Sequence, residues 1–181
     1  TKAIFQKYTA KGGENVSLKI TVNDAKQKKV AYLSRLMAYS GKGKKLDVTN
    51  LVSNEGDFYW KAPKGEWKLI ALFVGKTLQE VKRSAPGGQG YVMDHFSAKA
   101  VKNYLTKFDN AFAREGTSYP NSFFNDSYEV YNADWTPALL EEFQHRRGYK
   151  LEDYFPELLA KGKTDISCRV VSDYRQTLSE M

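Results

Sequence analysis

The sequence predicts an α/β fold in which a β-rich segment precedes part of an α/β barrel or doubly wound sheet. Before residue 80, apolar and polar residues approximately alternate, as they do in strands, whereas from about residue 90 apolar residues recur at helical spacing. In the second half, strand-like and helix-like segments follow one another, which favours parallel pairing of the strands. Two or three such units cannot close a barrel, so we expect the chain to be a piece of a larger enzyme.

Residues 1 to 65 are predicted to form a β-rich insertion or accessory segment. The stretches VSLKITV and KVAYLSRLMAY have the alternation of strands, and NDAKQKK between them predicts a hairpin connection. Pro63 and Gly65 mark a turn before WKLIALFV, which is apolar enough to be a strand buried on both faces. That strand opens the second predicted part, the partial α/β barrel segment of residues 66 to 181.

Helices are predicted from Ser97 onwards. Ser97 is suited to cap a helix, and the apolar face of this helix is expected to consist of Val101, Tyr104, Leu105, Phe108 and Phe112. The strand SFFN follows, and then a helix over about residues 135 to 147, with Pro137 in its first turn and Gly148 at its end. A short helical stretch in LEDYFPELL and a final helix from about residue 167 complete the pattern.

Composition and charge exclude several classes of protein. Of the 181 residues, 41% are hydrophobic and 14% aromatic, which is typical of a globular domain, and no apolar run approaches the roughly 20 residues of a membrane helix. Residues 1 to 80 carry 15 Lys and Arg against 7 Asp and Glu, whereas residues 81 to 181 carry 13 against 14. The excess consists of lysines in turn-like stretches such as AKQKK and SGKGKK, which favours a solubilising surface over a nucleic-acid site.

The single cysteine, Cys168, is expected to be a buried structural thiol.

Asp94 and His95 follow the glycine-rich stretch PGGQG and a short apolar run. The stretch lacks the pattern of a phosphate-binding loop, so it predicts a flexible loop that leads into a strand. Asp94 and His95 then lie just past a strand end, where substrate contacts are built, although Asp94 could equally help to cap the following helix. His145 lies among charges on a helix, and a zinc site built from the two histidines has no recognisable ligand spacing.

The tract NDSYEVYNADW holds the strongest candidate residues. Glu129 lies between Tyr128 and Tyr131 directly after a predicted buried strand, and Asp126 precedes it. Aromatic rings stack on sugar faces, and an apolar wall raises the pKa of a carboxyl group enough to keep it a general acid. The tract therefore predicts a carbohydrate site with Glu129 as its acid. Asp134 is expected instead to be the N-cap of the helix that starts at Trp135.

Three stretches, WKAPKGEWKLI, SAPGGQGYVMDHFSAKAVKNYL and FFNDSYEVYNADWTPALLEEFQHRRGYKLEDYFPELL, together resemble the bacterial glycoside hydrolases of the α-L-rhamnosidase type, grouped as family 106, and their relatives. In that family, W-x-x-P-x-G-x-W leads into a barrel strand, G-[YL]-x-x-D-x-[FL]-S opens the next helix, and D-S-[WY]-E precedes W-T and R-R-G-Y. Here these motifs fall on residues 60–67, 90–97, 126–129, 135–136 and 146–149. The resemblance covers roughly residues 57 to 160.

The resemblance implies a (β/α)8 barrel that cleaves α-L-rhamnosides in plant polysaccharides by inversion, with calcium at the site. It implies Glu129 as a catalytic residue, and we expect Asp94, His95, Asp126, Tyr128 and Trp135 on the substrate side. Inversion needs a second carboxylate, which is expected beyond Met181. Tyr128 stands where many relatives have tryptophan, which leaves the sugar open. We expect the full protein to be a periplasmic or extracellular enzyme, and we expect the 181-residue chain by itself to be inactive. The alternative is that the protein is a non-catalytic carbohydrate-binding module.

Overall fold

The computed structural model of the protein describes residues 1–122 and 130–181. Its strands are β1 (Lys2–Lys11), β2 (Asn15–Lys19), β3 (Tyr32–Ser40), β4 (Lys45–Asp47), β5 (Asp57–Lys61) and β6 (Glu66–Gly75). Its α-helices are α1 (Ala98–Glu115), α2 (Leu139–Arg147), α3 (Phe155–Leu159) and α4 (Asp165–Glu180), and short 3-10 helices cover Thr49–Leu51 and Leu151–Tyr154. Among these described helices, none is long and apolar enough to cross a membrane.

The central feature is an antiparallel sheet with strand order β1-β6-β3-β4, and a smaller sheet pairs β2 with β5. Strand β6 lies in the middle of the larger sheet and is buried on both faces, as its apolar sequence predicts. Because side chains alternate along a strand, Trp67, Leu69, Ala71 and Phe73 enter one hydrophobic core. Ile70, Leu72 and Val74 enter the other core.

The two cores define three layers. The first core fills the space between the two sheets and includes Leu36 and Phe58, neither of which has measurable exposure. The second core lies on the other face of the larger sheet, where α2, α3 and α4 cover it with Leu139, Phe143 and Phe155. The β-rich character predicted for the first half is therefore confirmed, in a mixed α/β fold.

Two predictions about strand pairing are wrong. NDAKQKK does not connect a hairpin, because β2 pairs with β5 in one sheet whereas β3 pairs with β4 and β6 in the other. Every strand pairing among the described residues is antiparallel, and these residues form no barrel. The boundary predicted at residue 65 would separate β6 from β1 and β3, the strands with which it pairs. The predicted strand SFFN falls mostly on residues 123–125, outside the described residues.

The caps of α1 agree with the prediction, but its burial does not. The Oγ of Ser97 accepts a hydrogen bond from the N–H of Ala100 at 3.2 Å, and Gly116 ends the helix in the left-handed conformation. None of the residues of α1 is buried, however, and Tyr104, Leu105 and Phe108 are exposed. The helical spacing of the apolar residues is thus real, although nothing in the described part of the chain covers this face.

Helix α2 begins later than predicted. Its first residue is Leu139 and its N-cap position is Ala138, so the sequence from Asp134 to Pro137 precedes the helix and Asp134 does not cap it. Gly148 ends α2 in the left-handed conformation, as predicted. Cys168 is exposed on α4 rather than buried, because its side chain projects from the helix face turned away from the core.

Candidate functional site

Three segments distant in sequence meet at the end of the larger sheet where β1 starts and β6 ends. Lys2 pairs with Gly75 there. The Thr1 Oγ1 donates a hydrogen bond to the carbonyl oxygen of Trp135 at 2.5 Å, and it lies 3.4 Å from Oδ2 of Asp94. Residues 94 and 135, both predicted site positions, are therefore brought to one place by the first residue of the chain.

The loop between β6 and α1 shapes this end of the sheet. Glu80 and Tyr91 form an isolated antiparallel bridge, and the N–H of Val81 donates to the carbonyl oxygen of Gly90 at 2.8 Å. The strand predicted after the glycines is reduced to this bridge. The glycine-rich tip lies between the bridged residues, and Gly87 adopts a φ of 79° that other residues rarely adopt.

Asp94 lies at the mouth of a cavity of about 200 Å³ that Lys76 and Tyr91 also line. Its Oδ1 accepts a hydrogen bond from the N–H of Phe96 at 3.3 Å, and its carbonyl oxygen accepts one from the N–H of Ser97 at 3.1 Å. Asp94 therefore forms the turn ahead of α1, while Ser97 is the cap itself. Because Asp94 also lines the cavity, its structural role and a substrate-side role are compatible.

His95 lies on the other side of the same turn. Its ring contacts that of Phe96, with centroids 4.1 Å apart, and it lines a separate cavity of about 450 Å³ beside α1, together with Leu105 and Met181. The two cavities have no lining residue in common. The structure therefore separates His95 from Asp94, which the sequence had placed together.

Trp135 belongs to the core. Its side chain is 1% exposed and packs edge-on against Phe5, with ring centroids 6.2 Å apart. A ring buried in this way has no face on which a sugar can stack. Trp135 instead anchors the segment that follows the acidic tract, since its backbone is held by Thr1 on one side while its ring is fixed in the core.

Asp134 is a carboxylate whose role the sequence did not reveal. Its Oδ1 accepts a hydrogen bond from the N–H of Ala3 at 2.8 Å, and the hydroxyl of Tyr174 donates to its carbonyl oxygen. Burial raises the pKa of the Asp134 carboxyl above its ordinary value, although the Ala3 hydrogen bond and the nearby Lys2 act in the opposite direction. An aspartate before a helix is ordinarily a cap, so no local pattern distinguishes this arrangement.

The predicted residues Asp126, Tyr128 and Glu129 lie outside the described residues. The chain is described again from Val130, and the N–H of Tyr131 donates a hydrogen bond to Oε1 of Gln79 at 2.8 Å. Gln79 also accepts a hydrogen bond at its carbonyl oxygen from Val92, at 2.9 Å. Tyr131, in the second half of the tract, is thus fixed against the loop that carries Asp94.

The described residues do not form a calcium cage by themselves. Calcium takes six to eight oxygen ligands, commonly from several carboxylates. In residues 1–122 and 130–181, no group of three or more His, Cys, Asp and Glu side chains converges. The calcium implied by the resemblance therefore has no cluster of three such side chains in this part of the chain, and no step below depends on it.

Two known proteins that match most of this chain both carry glycosidase names. A protein from Formosa agariphila named "Putative beta-glucuronidase" is 32% identical over 146 residues, which cover 75% of this chain and 12% of that protein. The solved structure of a rhamnosidase from Novosphingobium sp. PP1Y matches with a TM-score of 0.62 and 27% identity, and the match covers 75% of this chain and 14% of that one. The chain thus spans less than a sixth of the length of either relative.

The family model of the α-L-rhamnosidases, glycoside hydrolase family 106, matches residues 3–181. The match includes both the sheet and the acidic tract, and it confirms the resemblance carried by the motifs. The chain therefore belongs to the α-L-rhamnosidase family of glycoside hydrolases.

Proposed function

We propose that the protein is a glycosidase that cleaves α-L-rhamnosides in plant polysaccharides by acid and base catalysis. The observation that carries the proposal is the family match over residues 3–181. The rhamnosidase from Novosphingobium supports it, because that likeness extends to sequence as well as fold.

In the proposed mechanism, Glu129 protonates the glycosidic oxygen as the sugar departs. A second carboxylate activates a water molecule on the opposite face of the ring, and inversion requires the two carboxyl groups to be about 6.5 to 9.5 Å apart. The assignment is supported by two contacts on the C-terminal side of Glu129, since Gln79 holds Tyr131 and the core holds Trp135. Asp94 would contact the sugar from the loop, and Asp126 and Tyr128 from the tract itself. Calcium remains a proposal that rests on the family alone.

A β-glucuronide is the second candidate substrate. The relative from Formosa agariphila, at 32% identity, carries a beta-glucuronidase name. Tyr128 replaces the tryptophan found in many family members, so the sugar contacts of this tract differ from theirs. The two substrates differ in charge, because a glucuronide has a carboxylate where a rhamnoside has a methyl group.

The test compares turnover of a rhamnose-containing oligosaccharide and a glucuronide-containing one by the full-length protein, with and without Glu129→Gln. Glutamine keeps the shape of the side chain but has no acidic proton to transfer. Turnover on natural oligosaccharides should fall by about 10² to 10⁴, whereas activated aryl glycosides should lose less because their leaving groups need little protonation.

Glu14→Gln is the matched control, because Glu14 is exposed and has no ion pair in the described part of the chain. It should leave turnover unchanged. Near-normal hydrolysis of an oligosaccharide by Glu129→Gln, with an unchanged melting temperature, would contradict the assignment of the acid. Hydrolysis of the glucuronide alone would instead favour the second substrate.

A further inference from the structure

A groove of about 640 Å³ lies at the opposite end of the larger sheet from the candidate site; we call it the sheet-end groove. This volume is within the about 300 to 1,000 Å³ of ordinary ligand sites. Glu66 and Gly75 are the two ends of β6, and a ten-residue strand spans about 30 Å. Glu66 lines the groove, whereas Gly75 is beside Thr1 and the candidate site, so the two sites are distinct.

Lysines dominate the floor of the groove. Thr9, Lys68, Tyr39 and Lys45 are consecutive cross-strand neighbours on β1, β6, β3 and β4, which places them in one row about 14 Å long. Lys11 and Lys44 also line the groove, beside this row. The floor therefore carries lysines of β1, β6 and β4, whereas β3 contributes the uncharged Tyr39.

Three of these lysines form no ion pair among the described residues, although Glu66 is the cross-strand neighbour of Lys11. Lys11, Lys44 and Lys68 are exposed, and none forms an ion pair within residues 1–122 and 130–181. Lys45 differs, because its ammonium lies over the ring of Tyr154, 3.9 Å from the centroid. The floor can accept an anion without breaking an existing ion pair.

Acidic side chains form the wall. Asp153 and Glu157 line the groove from the helical layer, and Glu66 lies at its sheet end. Oε2 of Glu157 is buried and has no hydrogen-bond donor among the described residues. That oxygen is too buried for a ligand in the groove to reach, but Glu157 as a whole is only partly buried, and a carboxylate can accept hydrogen bonds from ligand hydroxyl groups. The groove thus offers cations on its floor and hydroxyl acceptors on its wall.

We infer that the sheet-end groove is a second, non-catalytic binding site for an acidic oligosaccharide. Uronates and sulfated sugars share the required chemistry, since each carries both an anionic group and hydroxyl groups. The anionic group would bind Lys11 and Lys68 on the floor, and hydroxyl groups would donate to Glu157 on the wall. The inference rests on the proposed glycosidase function, and it adds a site that would hold a polysaccharide chain far from the bond being cleaved.

The test is calorimetric titration of the full-length protein carrying Glu129→Gln, which is expected to slow hydrolysis during the measurement. The probes are a tetragalacturonate, its fully methyl-esterified neutral counterpart and a sulfated tetrasaccharide of carrageenan. Lys11→Gln/Lys68→Gln should weaken binding of an acidic probe by about fivefold or more, since each lysine contributes one charged contact. The matched control is Lys42→Gln/Lys64→Gln, which removes the same charge from exposed lysines that do not line the groove.

The inference is supported if an acidic probe binds, the neutral ester binds more weakly and only the groove variant loses affinity. The preferred acidic probe then identifies the anionic group as carboxylate or sulfate. Equal losses in both double variants would show diffuse charge attraction and overturn the inference, as would equal binding of the neutral ester or no binding at all. Hydrolysis by the unaltered protein is measured separately, so intact activity without groove binding rejects the second site and leaves the proposed function standing.

Discussion

The buried hydroxyl groups of Thr136 and Ser167 differ in their hydrogen-bond partners. Thr136 is 1% exposed, and its Oγ1 has no hydrogen-bond partner in the described part of the protein. Ser167 is fully buried; its Oγ donates to the carbonyl oxygen of Glu157 at 2.5 Å and accepts from the N–H of Gly162 at 2.8 Å. Ser167→Ala leaves both partners without this hydroxyl and should lower the free energy of unfolding by about 1 to 3 kcal/mol, whereas Thr136→Val should lower it little or raise it.

Urea denaturation of the two variants measures this difference through the extrapolated free energy of unfolding. A loss of similar size in both variants would mean that the Thr136 hydroxyl is bonded in solution.

The raised pKa of Asp134 predicts a pH-dependent stability. Burial, the largest cause, makes the folded state bind a proton more tightly than the unfolded state, whose aspartate pKa is about 3.9. The contribution of Asp134 to stability is therefore fully present below about pH 3.9 and is lost as pH rises through the higher folded pKa. Asp134→Asn keeps an oxygen for the Ala3 N–H but cannot ionise. Its melting temperature relative to the natural protein should rise between pH 3 and pH 7.

Thermal unfolding at both pH values checks this, with Asp109→Asn as the control because Asp109 is exposed on α1. A melting temperature for Asp134→Asn that falls relative to the natural protein as pH rises would contradict the assigned direction. If Asp134 were only the helix N-cap predicted from the sequence, the melting temperature of Asp134→Asn relative to the natural protein would not rise with pH.

Helix α2 ends at Gly148, which adopts the left-handed backbone conformation. Its φ is 77°, and the space around it would accommodate a β-carbon. Gly148→Ala should therefore lower the free energy of unfolding through backbone strain alone, by about 1 kcal/mol. Gly90→Ala is the control, because Gly90 also has open space but does not adopt a positive φ. Chemical denaturation of both variants separates backbone strain from the general effect of replacing glycine by alanine; equal stabilities would contradict the prediction.

The sequence predicted the helix ends and the buried strand that depend on residues close together in the chain. Ser97, Gly116 and Gly148 act on their own neighbours in the chain, so the ends that they define are readable from the sequence. The apolar run of β6 likewise indicates that both faces of the strand are buried.

Pairing could not be predicted in the same way. β2 pairs with β5 and β1 with β6 across long stretches of chain, and no nearby residue encodes those partners. The same limit applies to the candidate site. The burial of Trp135 and the hydrogen bond from Ala3 to Asp134 depend on residues more than 100 positions away, so they could not be predicted from nearby sequence.

For the whole molecule, we predict that the 181-residue chain alone does not turn over an aryl α-L-rhamnoside, whereas the full-length protein does. The chain spans 12% and 14% of the two relatives. The second catalytic carboxylate that inversion requires is expected in the part of the full-length protein that lies beyond residue 181. Release of the aryl alcohol measures turnover, and release by the isolated chain would overturn the prediction.

The pairing of β1 with β6 also determines when the sheet can assemble during synthesis. Lys2 pairs with Gly75 and Lys11 with Glu66, so the first strand leaves the ribosome 55 or more residues before its partner. At about 5 to 20 residues per second, β1 waits several seconds with its backbone groups unpaired. Lys2, Lys7 and Lys11 along this strand place like charges on it, which disfavours pairing between nascent chains during that interval.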